Sequence, residues 1–316
     1  MHHPSRTVPI MPSLSAVRAA NAAFSPSYIP VAIFVGGTSG IGQGVAEAFA
    51  RHTHGNAHII LCGRNRAAAE AIIASFPKPT SPSALHEFVQ CDVSRMKNIE
   101  ATTQELRARL PKVNFLVLSP GIMTMRGRNE TPEGIDYKLA LHYYARWKFT
   151  RDLLPLLAKA KDGGEDAKVL SVLAAGKGGP IDVNDLGLKK TFSLKNAALG
   201  ATTYNDLMVE SFAQQQPDIA FTHSYPGIVR TGLFSSSHWL LRPAAAAVTY
   251  ATYPFSVDIE TCGEYMLYAL MQGQKGAYRR DEHGDDIGKK NYYGSDEERT
   301  RLWDHTVEEV DRASQS

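Results

Sequence analysis

The residues best suited to chemistry in this sequence form a glycine-rich turn, Gly36-Gly37-Thr38-Ser39-Gly40-Ile41-Gly42. The turn directly follows an apolar run at 31–35 and opens a helical pattern, which is the setting that a phosphate-binding turn requires. Gly36 permits the tight turn, Gly40 lets the backbone approach a pyrophosphate, and Gly42 allows close helix packing, while the helix N-terminus offers unpaired N–H groups to the anion. The pattern therefore predicts a dinucleotide-binding site.

Alternating strands and helices are expected to position this turn. Short apolar runs are separated by turns or polar breaks, and most of the intervening segments have helical periodicity. Near-continuous apolar strands indicate a parallel sheet that is buried on both faces. The sequence predicts an α/β fold, a Rossmann-like doubly wound parallel sheet of about seven strands with helices on both faces. The apolar runs are 31–35, 58–62, 87–91, 114–118, 168–173 and 219–223.

The chain is expected to contain an N-terminal extension, residues 1–30, and a single domain, residues 31–316. Polar breaks at 77–82 and 161–164 are too short to separate domains. An apolar, aromatic stretch indicates a substrate lobe at about 232–258, followed by a packing helix at 260–271 and a polar, solvated tail from Gln272 onward. In the extension, residues 15–23 are expected to form a short docked helix, with an organelle transit peptide as the alternative.

Composition favours a small molecule as the ligand, and the apolar stretch at 233–255 indicates that this ligand is hydrophobic. With 43% apolar residues, 21% charged residues and a formal charge of +2, the chain has no single-signed field for nucleic acid or an anionic membrane. Cys62, Cys91 and Cys262 lack metal-ligand spacing and are expected to be buried thiols, so no metal site is predicted. No apolar run is long enough for a membrane-spanning helix, and we expect a soluble, cytoplasmic protein.

The spacing G-x-x-x-G-x-G, ending in Gly-Ile-Gly, resembles the short-chain dehydrogenase/reductase family. The resemblance continues at Cys91-Asp92-Val93, which matches the acidic position after the third strand, and at Ser119-Pro120-Gly121, where the family usually has N-A-G. Residues 225–231 resemble the segment that holds the nicotinamide amide. The resemblance implies these cofactor-binding residues: Gly36, Thr38, Ser39, Gly40, Ile41, Gly42, Arg64, Asn65, Asp92, Val93, Pro120, Gly121, Pro226, Gly227, Val229 and Thr231.

NADP(H) is favoured over NAD(H) as the cofactor. Arg64 follows the second strand where NADP-preferring members of the family carry an arginine, and no carboxylate is present there to hold a free ribose hydroxyl. A guanidinium can fork onto a 2′-phosphate, whereas Asp or Glu would repel it. The alternative is that Arg64 and Arg66 are simply solvated.

The catalytic tetrad of the family, asparagine, serine, tyrosine and lysine, has no clear match. His142 takes the place of the asparagine, and Leu173-Ala174 takes the place of the serine pair, since Ser171 lies too early. One alignment puts Ala198 and Thr202 in the tyrosine and lysine places and is favoured. In the other, Tyr204 is the tyrosine and Met208 replaces the lysine. Neither supplies the lysine, so the usual mechanism is not expected for this chain.

Substitute catalytic groups are nevertheless present. We predict catalytic roles for Tyr204, a weak acid, and for His142, which is expected to titrate near neutral pH. Lys177 is a further candidate at the expected mouth of the site. The alternatives are that His142 is a hydrogen-bonded helix residue, that Tyr204 merely packs, and that Lys177 is a surface residue.

The sequence predicts an NADP(H)-dependent oxidoreductase acting on a hydrophobic alcohol or ketone, and it resembles family members found in fungal secondary metabolism. One alternative is a non-redox enzyme, a cyclase or isomerase, in which the cofactor forms part of the pocket wall. Another is a cofactor-sensing binding protein. The family resemblance also implies a homodimer or homotetramer.

Overall fold

The computed structural model describes residues 11–231 and 256–315. Within these ranges, seven parallel strands form one sheet in the order β3-β2-β1-β4-β5-β6-β9, and β7 and β8 form a separate pair. The predicted fold class is confirmed. The strands are β1 (Val31–Val35), β2 (His58–Gly63), β3 (His86–Gln90), β4 (Phe115–Leu118), β5 (Lys168–Val172), β6 (Ala220–Ser224), β7 (Ile228–Val229), β8 (Ser256–Val257) and β9 (Gly276–Arg280).

Helices cover both faces of the sheet. Successive side chains of each strand point to opposite faces, so each strand contributes to two cores. On β1, Ile33 and Val35 join the core under α4, α6, α7 and α9, whereas Ala32 and Phe34 join the core under α2, α3 and α8. The helices are α1 (Leu14–Ala22), α2 (Gly40–His52), α3 (Arg66–Ser75), α4 (Met96–Arg109), α5 (Tyr137–Leu139), α6 (Ala145–Asp162), α7 (Leu194–Gln215), α8 (Ile259–Gln272) and α9 (Asp296–Gln315), with a π-helical turn at Ala140–Tyr144 between α5 and α6.

The N-terminal helix α1 is docked on α8. Asn21, which is buried, donates hydrogen bonds from Nδ2 to the carboxylate of Glu264 at 2.8 Å and to its backbone oxygen at 2.9 Å. Ser13 caps the helix by accepting from Ala16 N–H. The short docked helix expected from the sequence is therefore present, shifted by one residue.

The polar segment from Gln272 onward is largely at the surface, as expected, but it also supplies a strand and a helix to the fold. β9 is the seventh strand of the sheet and pairs with β6, and α9 packs against α4 and α7. Arg279 is only 4% exposed because it forms an ion pair with Asp206 at 2.9 Å, and Arg280 donates to the Gly284 carbonyl at 2.7 Å. Arg279 and Arg280 are thus two charged residues of this segment that are buried with partners, which the sequence pattern did not reveal.

Most of the predicted substrate lobe, residues 232–255, lies outside the described residues. Its described end, β8, pairs with β7 through Ile228 opposite Ser256 and Val229 opposite Val257. Among the helices of the described ranges, none has both the length and the apolar character needed to cross a lipid bilayer.

Candidate active site

The glycine turn has the backbone geometry that the sequence predicts. Gly36 and Gly40 have φ angles of +82° and +57°, which side chains disfavour. Gly36 N–H donates to the Cys62 carbonyl at 2.9 Å, so the turn is fastened to the end of β2. A Cβ atom on Gly42 would lie 2.2 Å from Ser119 Oγ and 2.6 Å from the Gly36 carbonyl oxygen. The start of α2 is therefore packed directly against the ends of β1 and β4.

The N-terminus of α2 is left open to a ligand. Its N-cap residue, Ser39, makes no side-chain capping bond, and the first turn contains no acidic residue. By contrast, Asn65, Ser193 and Asp258 accept capping hydrogen bonds at the starts of α3, α7 and α8. The first N–H groups of α2 are thus available for an anion, as a pyrophosphate-binding turn requires. This geometry fits a dinucleotide.

The neighbouring strand ends hold the residues predicted to contact the adenosine side. Arg64 is exposed, and its guanidinium donates to the Tyr137 hydroxyl at 3.3 Å. Asn65 uses its side-chain oxygen to cap α3. Asp92 accepts from the hydroxyl and N–H of Ser94, and Val93 is buried in the core. Of these four predicted residues, Arg64 is the one that has an exposed, charged side chain.

The segment after β6 reaches the glycine turn. A Cβ atom on Gly40 would lie 3.5 Å from the Thr231 methyl carbon, which places the predicted nicotinamide segment beside the predicted phosphate turn. Gly227 has a φ angle of +73°, and the Pro226 carbonyl accepts a weak hydrogen bond from Cys262 Sγ at 3.8 Å. Val229 lies in β7. These contacts bring two distant predicted motifs together.

Beneath this edge lies a buried polar group that the sequence analysis missed, the Arg146 guanidinium. Arg146 is 1% exposed and donates to carbonyl oxygens at the ends of β4 and β5, Leu118 at 3.1 Å and Val172 at 2.9 Å. It also donates to the hydroxyl of Ser171 at 2.7 Å, which in turn donates to Asn205 Oδ1 at 2.6 Å. Burial lowers the pKa of Arg146 to about 9. We call Arg146, Ser171 and Asn205, together with His142, the Arg146 cluster.

His142 lies in the π-helical turn, on the edge of this cluster. Its Nε2 accepts a hydrogen bond from Ile122 N–H at 3.1 Å, and Asn205 Nδ2 donates to its backbone carbonyl at 2.8 Å. Burial, together with the positive charge of Arg146, lowers its pKa to about 3. The expectation that His142 titrates near neutral pH is therefore corrected: it is a neutral imidazole at that pH.

The two alignments of the tyrosine and lysine motif place different residues on α7. Ala198 is exposed, whereas Tyr204 is 1% exposed and donates its hydroxyl to the Leu186 carbonyl at 3.0 Å. Burial raises the pKa of Tyr204 well above its usual range. Met208 is also buried. In this conformation Tyr204 is committed to the loop between β5 and α7, and a catalytic role for it stays a prediction.

Two further groups border the site. Lys177 is exposed, and its Nζ lies 5.0 Å from the centre of the Tyr225 ring. At the serine place, Ala174 N–H donates to His223 Nε2 at 3.1 Å, and His223 Nδ1 contacts the Asp206 carboxylate at 2.6 Å. Although burial opposes it, contact with His223 and Arg279 lowers the pKa of Asp206. Ala174 is thus held through its backbone, with no hydroxyl to offer a substrate.

A sequence signal for Arg146 did exist. It lies four residues after His142, so the two face the same side of one continuous helical segment. A lone arginine in a helix usually points to solvent, however, and nothing in the sequence indicates that this one is buried. Ser171 and Asn205 are polar residues within apolar segments, which identifies them only as candidates for buried hydrogen bonds.

Comparison with known proteins agrees with this geometry. The family model described as short chain dehydrogenase matches residues 30–178. Oxidoreductase AN1596 of Emericella nidulans is 37% identical over 264 residues, 82% of this chain and 77% of that protein. Oxidoreductase andH of Emericella variicolor is 32% identical over 259 residues, 82% of this chain and 74% of that protein.

Among solved structures, a short-chain dehydrogenase from Sphingobium yanoikuyae in complex with NADPH superposes with a TM-score of 0.55 at 17% identity. It covers 79% of this chain and 87% of its own, and this likeness shows a shared fold. The parallel sheet and glycine turn define a Rossmann-type, nicotinamide-dinucleotide-binding protein. Together with the relatives, they show that the chain belongs to the short-chain dehydrogenase/reductase family and is an oxidoreductase.

Proposed function

We propose that this chain is an NADP(H)-dependent oxidoreductase that acts on a hydrophobic alcohol or ketone in fungal-type secondary metabolism, without the family's Asn-Ser-Tyr-Lys tetrad. The observation that carries the cofactor preference is the exposed guanidinium of Arg64 at the end of β2. It lies next to Gly63, where a Cβ atom would be 3.0 Å from the Thr38 side chain of the glycine turn. A 2′-phosphate beside this turn would meet a fixed positive charge.

A hydrophobic substrate is supported by the loop that follows Gly121. Met123 and Met125 are 50% and 76% exposed, and Ile228, in the segment that reaches the glycine turn, is 44% exposed. Flexible thioether side chains adapt to apolar ligands of varied shape. The apolar sequence at 233–255 also favours a hydrophobic substrate. The names of the two fungal relatives describe oxidoreductases and support the reaction class.

The loss of the tetrad is supported by what stands in its places. His142, Ala174 and Ala198 replace the asparagine, serine and tyrosine, and the exposed position of Ala198 favours the alignment in which Tyr204 packs. Thr202 then takes the lysine place, and its hydroxyl donates to the Ala198 carbonyl at 3.0 Å. No ammonium is available at this point to lower the pKa of a phenol.

His142 is the proposed catalytic residue. A backbone N–H can only donate, so the hydrogen bond from Ile122 requires an unprotonated Nε2, and the neutral ring carries its proton on Nδ1. NADPH held at the glycine turn would supply the hydride. The His142 Nδ1–H donates a hydrogen bond to the substrate carbonyl oxygen, where negative charge develops, and the proton that completes the alcohol comes from water.

The experiment that tests the function is a titration of the purified protein with NADPH and NADH, followed by fluorescence, and then an assay of nicotinamide absorbance with a panel of lipophilic ketones and quinones. We expect tight binding of NADPH, weaker binding of NADH, and NADPH consumption with at least one substrate. In a His142→Ala variant, kcat should fall about a hundredfold, the usual loss for one oxyanion donor, with NADPH binding retained.

The other outcomes overturn parts of the proposal. If NADPH binds and is not consumed with any substrate, the oxidoreductase assignment to this site fails and a cyclase or isomerase is favoured. If neither nucleotide binds, the cofactor assignment itself is wrong. If His142→Ala keeps its full kcat while Tyr204→Phe loses it, the proton donor is Tyr204.

A homodimer or homotetramer and a cytoplasmic location remain predictions. An assembly through α6 and α7 would have to accommodate α9, which already occupies part of their surface. Its Asp311 forms an ion pair with Arg151 of α6 at 2.7 Å, and the ring of its Trp303 lies 5.1 Å from that of Phe212 of α7.

A further inference from the structure

Arg146 is a buried cation without a carboxylate partner in residues 11–231 and 256–315. Among these residues its charge is stabilised by dipoles: four backbone carbonyls and the Ser171 hydroxyl accept its hydrogen bonds. Burying an unpaired charge is costly, and a methionine or leucine would fill the same space without that cost. A group retained at such a cost, next to a cofactor site, points to a role in the site.

Two of these carbonyls flank the His142 imidazole. Arg146 Nε donates to the Leu141 carbonyl at 3.2 Å, one residue before His142, and one terminal nitrogen donates to the Pro120 carbonyl at 2.6 Å, two residues before Ile122. The hydrogen bond from Ile122 N–H to His142 Nε2 therefore joins two segments that the same guanidinium holds. If the guanidinium is removed, both ends of that bond lose a support.

A second path reaches His142 from α7. The Ser171 hydroxyl accepts from Arg146 and donates to Asn205 Oδ1, which leaves the Asn205 amide nitrogen to donate to the His142 carbonyl at 2.8 Å and to the Ala201 carbonyl at 2.8 Å. In this series of hydrogen bonds, each bond fixes the direction of the next one. Arg146 is therefore linked through Ser171 and Asn205 to the backbone of the π-helical turn.

The two edges of the His142 imidazole have different surroundings. A Cβ atom on Gly121 would lie 3.5 Å from His142 Nε2 and 3.7 Å from Cδ2, so that edge of the ring is in contact with the loop after β4. The opposite edge carries Nδ1, which has no hydrogen-bond partner in the part of the chain that the structure describes. His142 is partly exposed as a residue, which leaves room for a substrate oxygen to approach Nδ1.

We propose that Arg146 is a positioning residue that locks His142 in the neutral Nδ1–H tautomer and aims this N–H at the substrate oxygen. A protonated ring would carry a proton on Nε2 as well as on Nδ1. The Nε2–H would then face the Ile122 N–H, and the ring would add a positive charge beside Arg146. This inference rests on the proposed function of His142 as the donor, and it assigns the group that prepares it.

The other charged groups around the ring act in the same direction or are engaged elsewhere. Lys138, from the preceding helical turn, adds positive charge and donates its ammonium to the Gly127 carbonyl at 3.0 Å. From α7, Asn205 is uncharged, and the Asp206 carboxylate is paired with His223 and Arg279. No described carboxylate is bonded to the His142 ring to favour its protonation.

The test begins with nitrogen NMR of the imidazole rings in protein labelled at histidine, with the His142 signals assigned by their loss in His142→Gln. The expected result for the unmodified chain is an Nδ1–H tautomer that does not titrate between about pH 8 and about pH 5, far above its lowered pKa. An Nε2–H tautomer, or protonation within that interval, overturns the proposal. This readout requires no substrate and no altered Arg146.

Variants then separate positioning from simple stability. Arg146→Met should give mixed His142 tautomers and a pH-dependent imidazole signal, and Arg146→Lys, which keeps the charge and some of the bonds, should restore much of the Nδ1–H signal. The matched control is Lys148→Met, which removes a fully buried cation two residues away that is paired with Glu100 and Asp152. It should lower stability and leave the His142 signal unchanged.

Activity completes the test. In Arg146→Met, kcat should fall about a hundredfold, as in His142→Ala, while the affinity for NADPH stays the same. If kcat is unchanged, Arg146 has no positioning role. If the NMR result holds and no substrate is turned over by any form, the oxidoreductase proposal fails while the tautomer lock stands. If turnover depends on His142 but the tautomer is independent of Arg146, the proposed function stands and the positioning role of Arg146 fails.

Discussion

The glycine turn and the Arg146 cluster meet at the same edge of the sheet, but they are built in opposite ways. The glycine turn depends on the absence of side chains, with positive φ angles at Gly36 and Gly40 and no room for a Cβ atom on Gly42. The Arg146 cluster depends on long side chains that bridge β4, β5, the π-helical turn and α7. The first is local in sequence, and the second draws on residues up to 63 positions apart.

This difference separates the parts of the site that a family can keep from those it can change. This turn accepts almost no substitution, because a Cβ atom would clash at Gly36 and Gly42 and a side chain would be strained at the positive φ angle of Gly40. A side-chain network can be replaced by another that satisfies the same buried groups. We call the glycine turn with Arg64 the cofactor half of the site and the Arg146 cluster its catalytic half. In the proposed function, the first keeps the family pattern, and the second acts in place of the tetrad.

The largest effect is expected from Gly42→Ala. The added methyl group would lie 2.2 Å from Ser119 Oγ, so the start of α2 must move away from β4. We expect a loss of about 1–3 kcal/mol in unfolding free energy, the usual cost of overpacking, and loss of measurable NADPH binding. Urea unfolding and fluorescence titration measure both. Gly127→Ala is the control, since a Cβ atom there would have no heavy atom of the described residues within 4 Å. Normal NADPH binding by Gly42→Ala would refute the steric account.

Next in size is the effect of Arg64→Gln on cofactor choice. Loss of a charge-assisted hydrogen bond of about 1.5–3 kcal/mol corresponds to roughly a 10- to 100-fold weaker affinity for NADPH, with the affinity for NADH unchanged. Arg66→Gln is the matched control, because its guanidinium lies over the Phe88 ring, 4.9 Å from the centroid. An equal loss for both cofactors would show that Arg64 does not read the 2′-phosphate.

The lowered pKa of His142 should make the stability of the protein depend on pH. His142 has a pKa of about 3 in the folded chain, against an ordinary value of 6.5. The unfolded chain therefore takes up this proton first, so the contribution of His142 to stability is complete above about pH 6.5 and is lost as the pH falls toward 3. Between about pH 7.5 and pH 5, the native protein should lose about 1–2 kcal/mol more than His142→Gln does.

Urea unfolding at the two pH values measures that difference. Equal losses in the native protein and in His142→Gln would mean that His142 is readily protonated in the folded state, and would place it outside the buried cluster. His223, whose pKa burial also lowers, titrates in the same direction in both proteins, so it cancels in the comparison.

The smallest effect is expected from Tyr204→Phe, which tests where the boundary of the catalytic half lies. Removing the hydroxyl leaves the Leu186 carbonyl without this donor and should cost about 1 kcal/mol of stability with little change in kcat. Tyr293→Phe, at a residue that is 42% exposed, is the control and should change neither. A large fall in kcat for Tyr204→Phe, with stability intact, would place its hydroxyl in the reaction.

The sequence alone determined the fold class and the phosphate turn. Strand and helix patterns are short-range, and the turn needs glycine at set positions of a contiguous segment, so both can be recognised without tertiary contacts. The six apolar strands lie within about one residue of their predicted positions. Family resemblance added the convergence of Thr231 on Gly40, which the structure places in contact.

Tertiary structure alone decided which polar residues are buried and what they contact. Arg146 and Arg279 look like surface residues in the sequence, because the energy that permits their burial comes from carbonyls and a carboxylate supplied by other elements. The same holds for the tail, whose strand β9 is visible only through its pairing with β6, and for Tyr204 and His142, whose chemical availability depends on partners that the linear pattern does not contain.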